Sequence, residues 1–147
     1  MAINTFEAAK FICQLSDWKV TNLSLNKILY FANMFYLGTK GTPLLDEQFE
    51  AWMYGPVLPR LYNKLKMYGA QSIPNRFYGV SDIEDQKIAE FLKNIASRLL
   101  ILEPWKLVSL THSKNGAWAK NYDPRFNSVI SNKDILEEYK DKVSNEQ

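Results

Sequence analysis

Apolar residues recur every three or four positions along most of this chain, which is the spacing of helices that bury one face. The strongest run covers residues 25–36, and Gly38 follows it as a favourable helix end. The same spacing predicts further helices near residues 8–15, 59–68, 88–102, 104–112 and 135–143, and Asn115-Gly116 is expected to turn into a further segment that contains Trp118 and Tyr122. The pattern therefore indicates a mainly α-helical protein.

Side chains that can cap a helix precede three of these segments. Each offers an oxygen to the free backbone N–H groups of the first helical turn. Two of them also have the spacing of a capping box, with an acidic residue three positions after a serine. The candidates are Asn4 or Thr5, Ser81 with Glu84, and Ser131 with Asp134.

Residues 38–60 depart from the helical pattern. Large and smaller side chains alternate over residues 49–54, which favours a short strand. Gly55 and Pro56 then interrupt the chain. We therefore expect a compact, single-domain helical bundle over residues 1–147, with about six to seven helices and at most a small β element near residues 49–54.

Composition excludes several classes of protein. The 147 residues carry 18 Lys and Arg against 16 Asp and Glu, so no strong field attracts nucleic acid, which we do not expect as a partner. Cys13 and His112 are the only residues of their kinds, which excludes a disulfide framework and a two-histidine metal site within the chain. No apolar run approaches the ~20 residues of a membrane helix, and no signal peptide is evident, so we expect a cytoplasmic protein without a membrane partner.

Catalytic chemistry is not predicted. Cys13 lies inside an amphipathic helix, where a buried and unreactive thiol is expected. No nucleophile-elbow or phosphate-binding glycine motif occurs, and the acidic residues fall in loop, helix-start or exposed helix positions. His112 lies at the end of a predicted helix, where a positive charge is favourable and a ring nitrogen can bond free carbonyls. We predict a structural role for it, and neither an enzyme nor a cofactor or metal site.

Eight Phe, eight Tyr and four Trp give the chain a large aromatic content. Many of these residues fall at helix-facing positions, so the core uses them first and a binding surface uses the remainder. The positions of Trp52, Trp105 and Trp118 fit the core at least as well as a contact surface, and Trp18, between Asp17 and Lys19, is expected to be half exposed. An exposed aromatic patch would serve a homodimer as well as another partner.

Two groups of short motifs resemble a known family. They are Leu29–Ala32, Glu50–Pro59 (EAWMYGPVLP), Leu61-Tyr62 and Tyr68-Gly69, followed by Leu110–His112 and Gly116–Trp118. In this order they resemble the SocA-like antitoxin family, or Panacea domain, also labelled phage-associated or GepA-like protein, over residues 5–140. The resemblance implies an antitoxin that neutralises a cognate protein toxin, by direct binding or as an adaptor that delivers the toxin to the ClpXP protease.

The motif residues are candidates both for shaping the fold and for contacting a partner. Tyr54, Gly55 and Pro56 predict a sharp turn that lays the helix near residues 59–68 against the second helix, and Gly55 suits a geometry that a Cβ would forbid. We therefore expect a mainly architectural motif. The candidate partner-binding or motif residues are Trp52, Tyr54, Gly55, Pro56, Tyr62, His112 and Trp118.

A DNA-binding regulator of prophage or toxin–antitoxin genes is the alternative function. Antitoxins of such pairs often regulate their own genes, and a helix-turn-helix with a basic recognition helix would be its signature. No such helix stands out in this chain.

Overall fold

A long helix, α2, forms the centre of the fold and is buried around most of its circumference. The structure, a computed structural model, describes residues 2–145. The helices of this part of the chain are α1 (Thr5–Leu15), α2 (Asn22–Lys40), α3 (Pro59–Leu65), α4 (Gln86–Leu99), α5 (Pro104–Thr111), α6 (Ala117–Asn121) and α7 (Asn132–Asn145). The prediction of a mainly α-helical protein is confirmed.

Most of the surface of α2 is covered by other elements. α1, α4, α5 and α7 pack along it, and α3 and the β-hairpin cover its first half. A helix surrounded in this way has no polar face, and Leu25, Ile28 and Leu29 are fully buried together with Asn26 and Lys27. None of the helices within residues 2–145 has the length and apolar content needed to cross a membrane.

A small antiparallel sheet lies against α2. β1 (Glu50–Trp52) pairs with β2 (Gly55–Val57) on one side and β3 (Ser128–Val129) on the other, in the order β2-β1-β3. The strand near residues 49–54 is confirmed. The partner strand β3 was not predicted, because two residues are too few to show an alternating pattern.

Buried polar side chains of α2 fix the segment that leads into the sheet. Asn33 Oδ1 accepts hydrogen bonds from the backbone N–H groups of Leu44 and Leu45, at 2.9 and 3.2 Å. Asn26 Oδ1 accepts one from Leu58 N–H at 2.9 Å, just before α3 begins. A buried N–H without a partner is costly, so these amides hold the chain on both sides of the hairpin.

Two predicted helix ends differ from the observed ones. α2 continues through Gly38 and ends at Gly41, whose φ of +82° is the left-handed conformation of a helix end. Gly38 instead allows α2 to pack closely against Tyr139, because a Cβ at this position would overlap the tyrosine ring. α4 begins after Asp85, whose carboxylate accepts from Lys87 N–H and Ile88 N–H, so the predicted start at Ser81 is wrong.

Other predicted caps are confirmed. Asn4 accepts hydrogen bonds from the first N–H groups of α1, and Ser131 Oγ accepts one from Asp134 N–H at 3.1 Å. Trp18 is half buried, as expected. Trp105 is 69% exposed, so of the two roles left open for it the structure excludes the core.

Candidate partner-binding site at the hairpin

The structure brings the two motif groups together at the β1–β2 hairpin. Trp118 Nε1 donates a hydrogen bond to the carbonyl of Trp52 at 2.7 Å, which ties α6 to β1. The Trp52 ring meets that of Tyr62 edge to face, with centroids 5.0 Å apart, which ties β1 to α3. Residues 66 positions apart in the sequence therefore support the same short hairpin.

The hairpin tip contains two exposed large side chains. Trp52 pairs with Gly55 across the hairpin, so Met53 and Tyr54 form its turn, with 62% and 63% of their surface exposed. Gly55 and Pro56 lie below them and are buried. Gly55 and Pro56 thus form the buried base of the hairpin, and Met53 and Tyr54 form its exposed tip.

Gly55 is required by its backbone conformation and by its neighbours. Its φ of +116° lies in a region that L side chains rarely adopt. A Cβ would also lie only 2.7 Å from Thr111 Oγ1 and 2.9 Å from Lys27 Cε. The predicted need for glycine is confirmed, because the hairpin sits directly on α2 and α5 at this residue.

Lys27 is the polar residue beneath the hairpin that the sequence analysis missed. It is fully buried, and its Nζ donates a hydrogen bond to the carbonyl of Pro56 at 2.9 Å. No carboxylate lies within ion-pair distance among the described residues, and burial lowers the pKa of its amine to about 7. The sequence did contain a signal for the burial of Lys27, because this lysine lies within the strongest run of helical apolar spacing.

His112 forms one end of an aromatic stack. Its ring lies 3.7 Å from that of Trp118, with the planes 2° apart, and Tyr122 stacks on the other face of Trp118 at 4.8 Å. Burial, and then the charge of Lys27, lower the pKa of His112, so the neutral ring is favoured. Its Nε2 is buried and has no hydrogen-bond partner.

The predicted cap by the His112 ring is therefore wrong. The backbone N–H of His112, and not its ring, bonds the carbonyls of Val108 and Ser109 at the end of α5. The expected positive charge is also disfavoured at this position. Aromatic stacking against Trp118 accounts for the position of the ring.

Glu138 of α7 holds the start of α6 in position. Its Oε1 accepts hydrogen bonds from Tyr30 Oη at 2.7 Å and from Ala117 N–H at 3.0 Å, and its Oε2 lies 3.8 Å from Lys142 Nζ. Burial, and then the Glu138 carboxylate, raise the pKa of Tyr30. Glu138 was expected on an exposed helix face, but only 3% of its surface is exposed.

A cleft of about 420 Å³ opens beside the hairpin tip, between α2 and α3. Trp52, Tyr54 and Tyr62 line it, together with Met53, Leu23 and Lys66. His112 and Trp118 lie outside it and support the hairpin from the side of α5 and α6. Three of the candidate residues therefore face one surface, and the other four hold that surface in place.

This arrangement provides a contact surface and no activated nucleophile among the groups at the site. Cys13 is buried in α1, and burial raises the pKa of its thiol to about 12, as its expected unreactive role requires. Lys27 has a lowered pKa, but its side chain is enclosed and bonded to a backbone carbonyl.

Comparison with known proteins identifies the family of this chain. The family model described as "Antitoxin SocA-like, Panacea domain" matches residues 25–119, a range that contains Lys27 and all seven candidate residues. The chain is also similar to Antitoxin SocA of Caulobacter vibrioides (strain NA1000 / CB15N), with 34% identity over 112 residues. That match covers 69% of this chain and 60% of the relative, so the chain spans less than two thirds of that protein. No solved structure gives a significant match. The chain belongs to the SocA-like antitoxin family, defined by the Panacea domain.

Proposed function

We propose that this protein is an antitoxin that binds a cognate protein toxin through the hairpin tip and the adjoining cleft. Membership of the antitoxin family supports the role. The observation that carries the location is the exposure of Met53 and Tyr54 at the centre of the family motif. The proposed action is binding in the cytoplasm, without catalysis.

The chemistry of this surface suits a protein partner. Tyrosine, tryptophan and methionine are enriched at interfaces, and the two aromatic residues bury a large area at a small entropic cost. Tyr54 and Met53 project from the tip, and Trp52 and Tyr62 form a wall of the cleft beside them. The surface therefore offers a projecting anchor and a cavity for a side chain of the toxin.

Rigidity of the base supports the same proposal. Lys27 holds the carbonyl of Pro56 and Trp118 holds that of Trp52, so both strands of the hairpin are bonded to helices. A surface that is ordered before binding loses less conformational entropy when the complex forms. The buried residues of the motif thus support affinity without contacting the toxin.

The proposed contact surface serves direct neutralisation and delivery of the toxin to ClpXP equally, because both routes begin with a bound toxin. The routes separate in cells that lack ClpXP, where a directly neutralising antitoxin still protects and an adaptor does not. Loss of protection in those cells would identify the adaptor route.

The proposal is tested by co-expression with the toxin encoded in the neighbouring gene. The wild-type chain should restore growth and co-purify with the toxin. Tyr54→Ser should weaken the complex by about 30-fold or more, because an anchor of this kind contributes at least about 2 kcal/mol. Tyr78→Ser removes an aromatic ring with 81% exposure outside the hairpin and serves as the matched control.

Two results would contradict the proposal. The absence of both protection and a complex with the wild-type chain would refute the antitoxin role for that gene pair. Full affinity of a folded Tyr54→Ser variant would refute the hairpin as the contact surface.

A further inference from the structure

Two large apolar side chains project from the junction between α4 and α5. Ile101 is 83% exposed and Trp105 is 69% exposed, which are high values for residues of this size. Trp105 lies in the first turn of α5, whose buried residues are Leu107 and Thr111. The packing of α5 therefore leaves the indole in solvent.

A mainly apolar groove, with Lys19 and several hydroxyl side chains also in its lining, adjoins these side chains. It has a volume of about 450 Å³ and is bounded by Leu15 of α1, Ser97 of α4 and Leu107 of α5. Leu100, Leu102 and Pro104 also line it and alternate along the chain with the projecting residues. A projection and a recess of matching chemistry thus lie side by side on one surface.

We infer that this surface binds a second copy of the chain, with Ile101 and Trp105 of each copy entering the groove of the other. A two-fold interface places the same patch on both subunits, so each projection must meet a recess beside its own counterpart. The adjacency of the projection and the groove satisfies that condition. A surface for an unrelated partner has no need to contain both halves.

Charge at the edge of the patch suits self-association. Arg98, Glu103 and Lys106 are exposed, and none of them forms an ion pair within the part of the chain that the structure describes. Because both signs occur, a two-fold arrangement sets Glu103 of each copy against cations of the other. A patch of one sign would instead repel its copy.

This surface is separate from the hairpin site. Trp105 is at the first turn of α5 and His112 follows its last turn, so the eight-residue helix separates them by roughly 10 Å along its axis. Dimerisation through Trp105 leaves the hairpin tip free on both copies. The inference therefore stands independently of the toxin-binding proposal.

Sedimentation velocity of the purified chain over a range of concentrations tests the inference. The weight-average mass should rise from that of one chain, 17.1 kDa, towards twice this value. Trp105→Glu should weaken association by about 30-fold or more, because it removes an anchor twice in each dimer. Ser97→Arg should have the same direction of effect, because it obstructs the groove without changing the projection.

Phe126→Glu is the matched control, since Phe126 is a 62%-exposed aromatic residue outside this patch. It should associate like the wild-type chain. A wild-type chain that stays monomeric at all concentrations would overturn the inference. Equal association of the wild type and of folded Trp105→Glu and Ser97→Arg variants would do so as well. Loss of toxin binding in monomeric Trp105→Glu, with a monomeric wild type, would assign the patch to the toxin instead.

Discussion

Lys27 places an amine at a position where its side chain has no exposed surface. Its amine bonds the carbonyl of Pro56, and Gly55 lies against its side chain. A single neutral acceptor does not replace the hydration of an ammonium group, so burial favours the neutral amine. The hairpin is thus fixed by a residue whose charged form is destabilised in the folded protein.

The stability of the protein should therefore rise between pH 7 and pH 8.5. The pKa of Lys27 is about 7 in the folded state and 10.5 when unperturbed, so the unfolded chain binds more protons in this interval. Over 1.5 pH units the free energy of unfolding should increase by roughly 2 kcal/mol. Urea unfolding at several pH values measures it.

Lys27→Met is the control for this prediction, because it keeps a long side chain and removes the titrating group. Its stability should change little over the same interval. The titration of His112 adds little to the change in stability over this pH interval, since its pKa lies below 6.5. A wild-type stability that falls or stays constant from pH 7 to pH 8.5 would show that the amine keeps its proton in the folded state.

The hairpin depends on one backbone conformation more than on its strand propensities. Each of its strands has three residues, which is too short for an independently stable sheet. Gly55 allows the chain to turn at a point where Thr111 of α5 and Lys27 of α2 leave no room for a Cβ. The element is therefore formed by contact with the helices beneath it.

Gly55→Ala should destabilise the protein by about 2–4 kcal/mol, from backbone strain and from overlap with Thr111 and Lys27. Gly41→Ala is the matched control: its φ is also positive, at +82°, but a Cβ there meets nothing within 4 Å. The control should lose only about 1–2 kcal/mol. Chemical denaturation measures both values, and equal losses would show that packing at Gly55 contributes nothing.

At the scale of the whole molecule, distant parts of the chain meet on α2. The family match covers residues 25–119, whereas α1 and α7 lie outside it and pack against α2. Tyr30 of α2 donates to Glu138 of α7, 108 positions away, and Glu138 in turn bonds the start of α6. This contact connects the last helix to the residues that support the hairpin.

Tyr30→Phe should lower the free energy of unfolding by about 1.5–3 kcal/mol, because it removes a hydrogen bond to a buried carboxylate. Tyr36→Phe is the control, since the Tyr36 hydroxyl makes no hydrogen bond in the described range 2–145. Thermal unfolding followed by circular dichroism measures the difference. If both variants are as stable as the wild type, the Glu138 carboxylate has found another partner.

Several features of the fold and site could be predicted from the sequence. The helical spacing identified α2, α3, α5 and α7, and the motif residues located the hairpin. Lys27 and Glu138 could not be recognised as buried, because their partners are a backbone carbonyl and residues far along the chain. The exposure of Trp105 could not be predicted, because spacing alone does not show which face of a short helix is covered.

The sequence by itself determined the helical class, the family and the absence of a disulfide framework, since periodicity, motifs and residue counts are local properties. The tertiary structure decided which motif residues are buried and which are presented. Met53 and Tyr54 are exposed and Gly55 and Pro56 are buried only because the hairpin lies on Lys27 and α5. It also left Ile101 and Trp105 in solvent beside a groove. Burial depends on contacts between distant segments, and such contacts exist only in the folded chain.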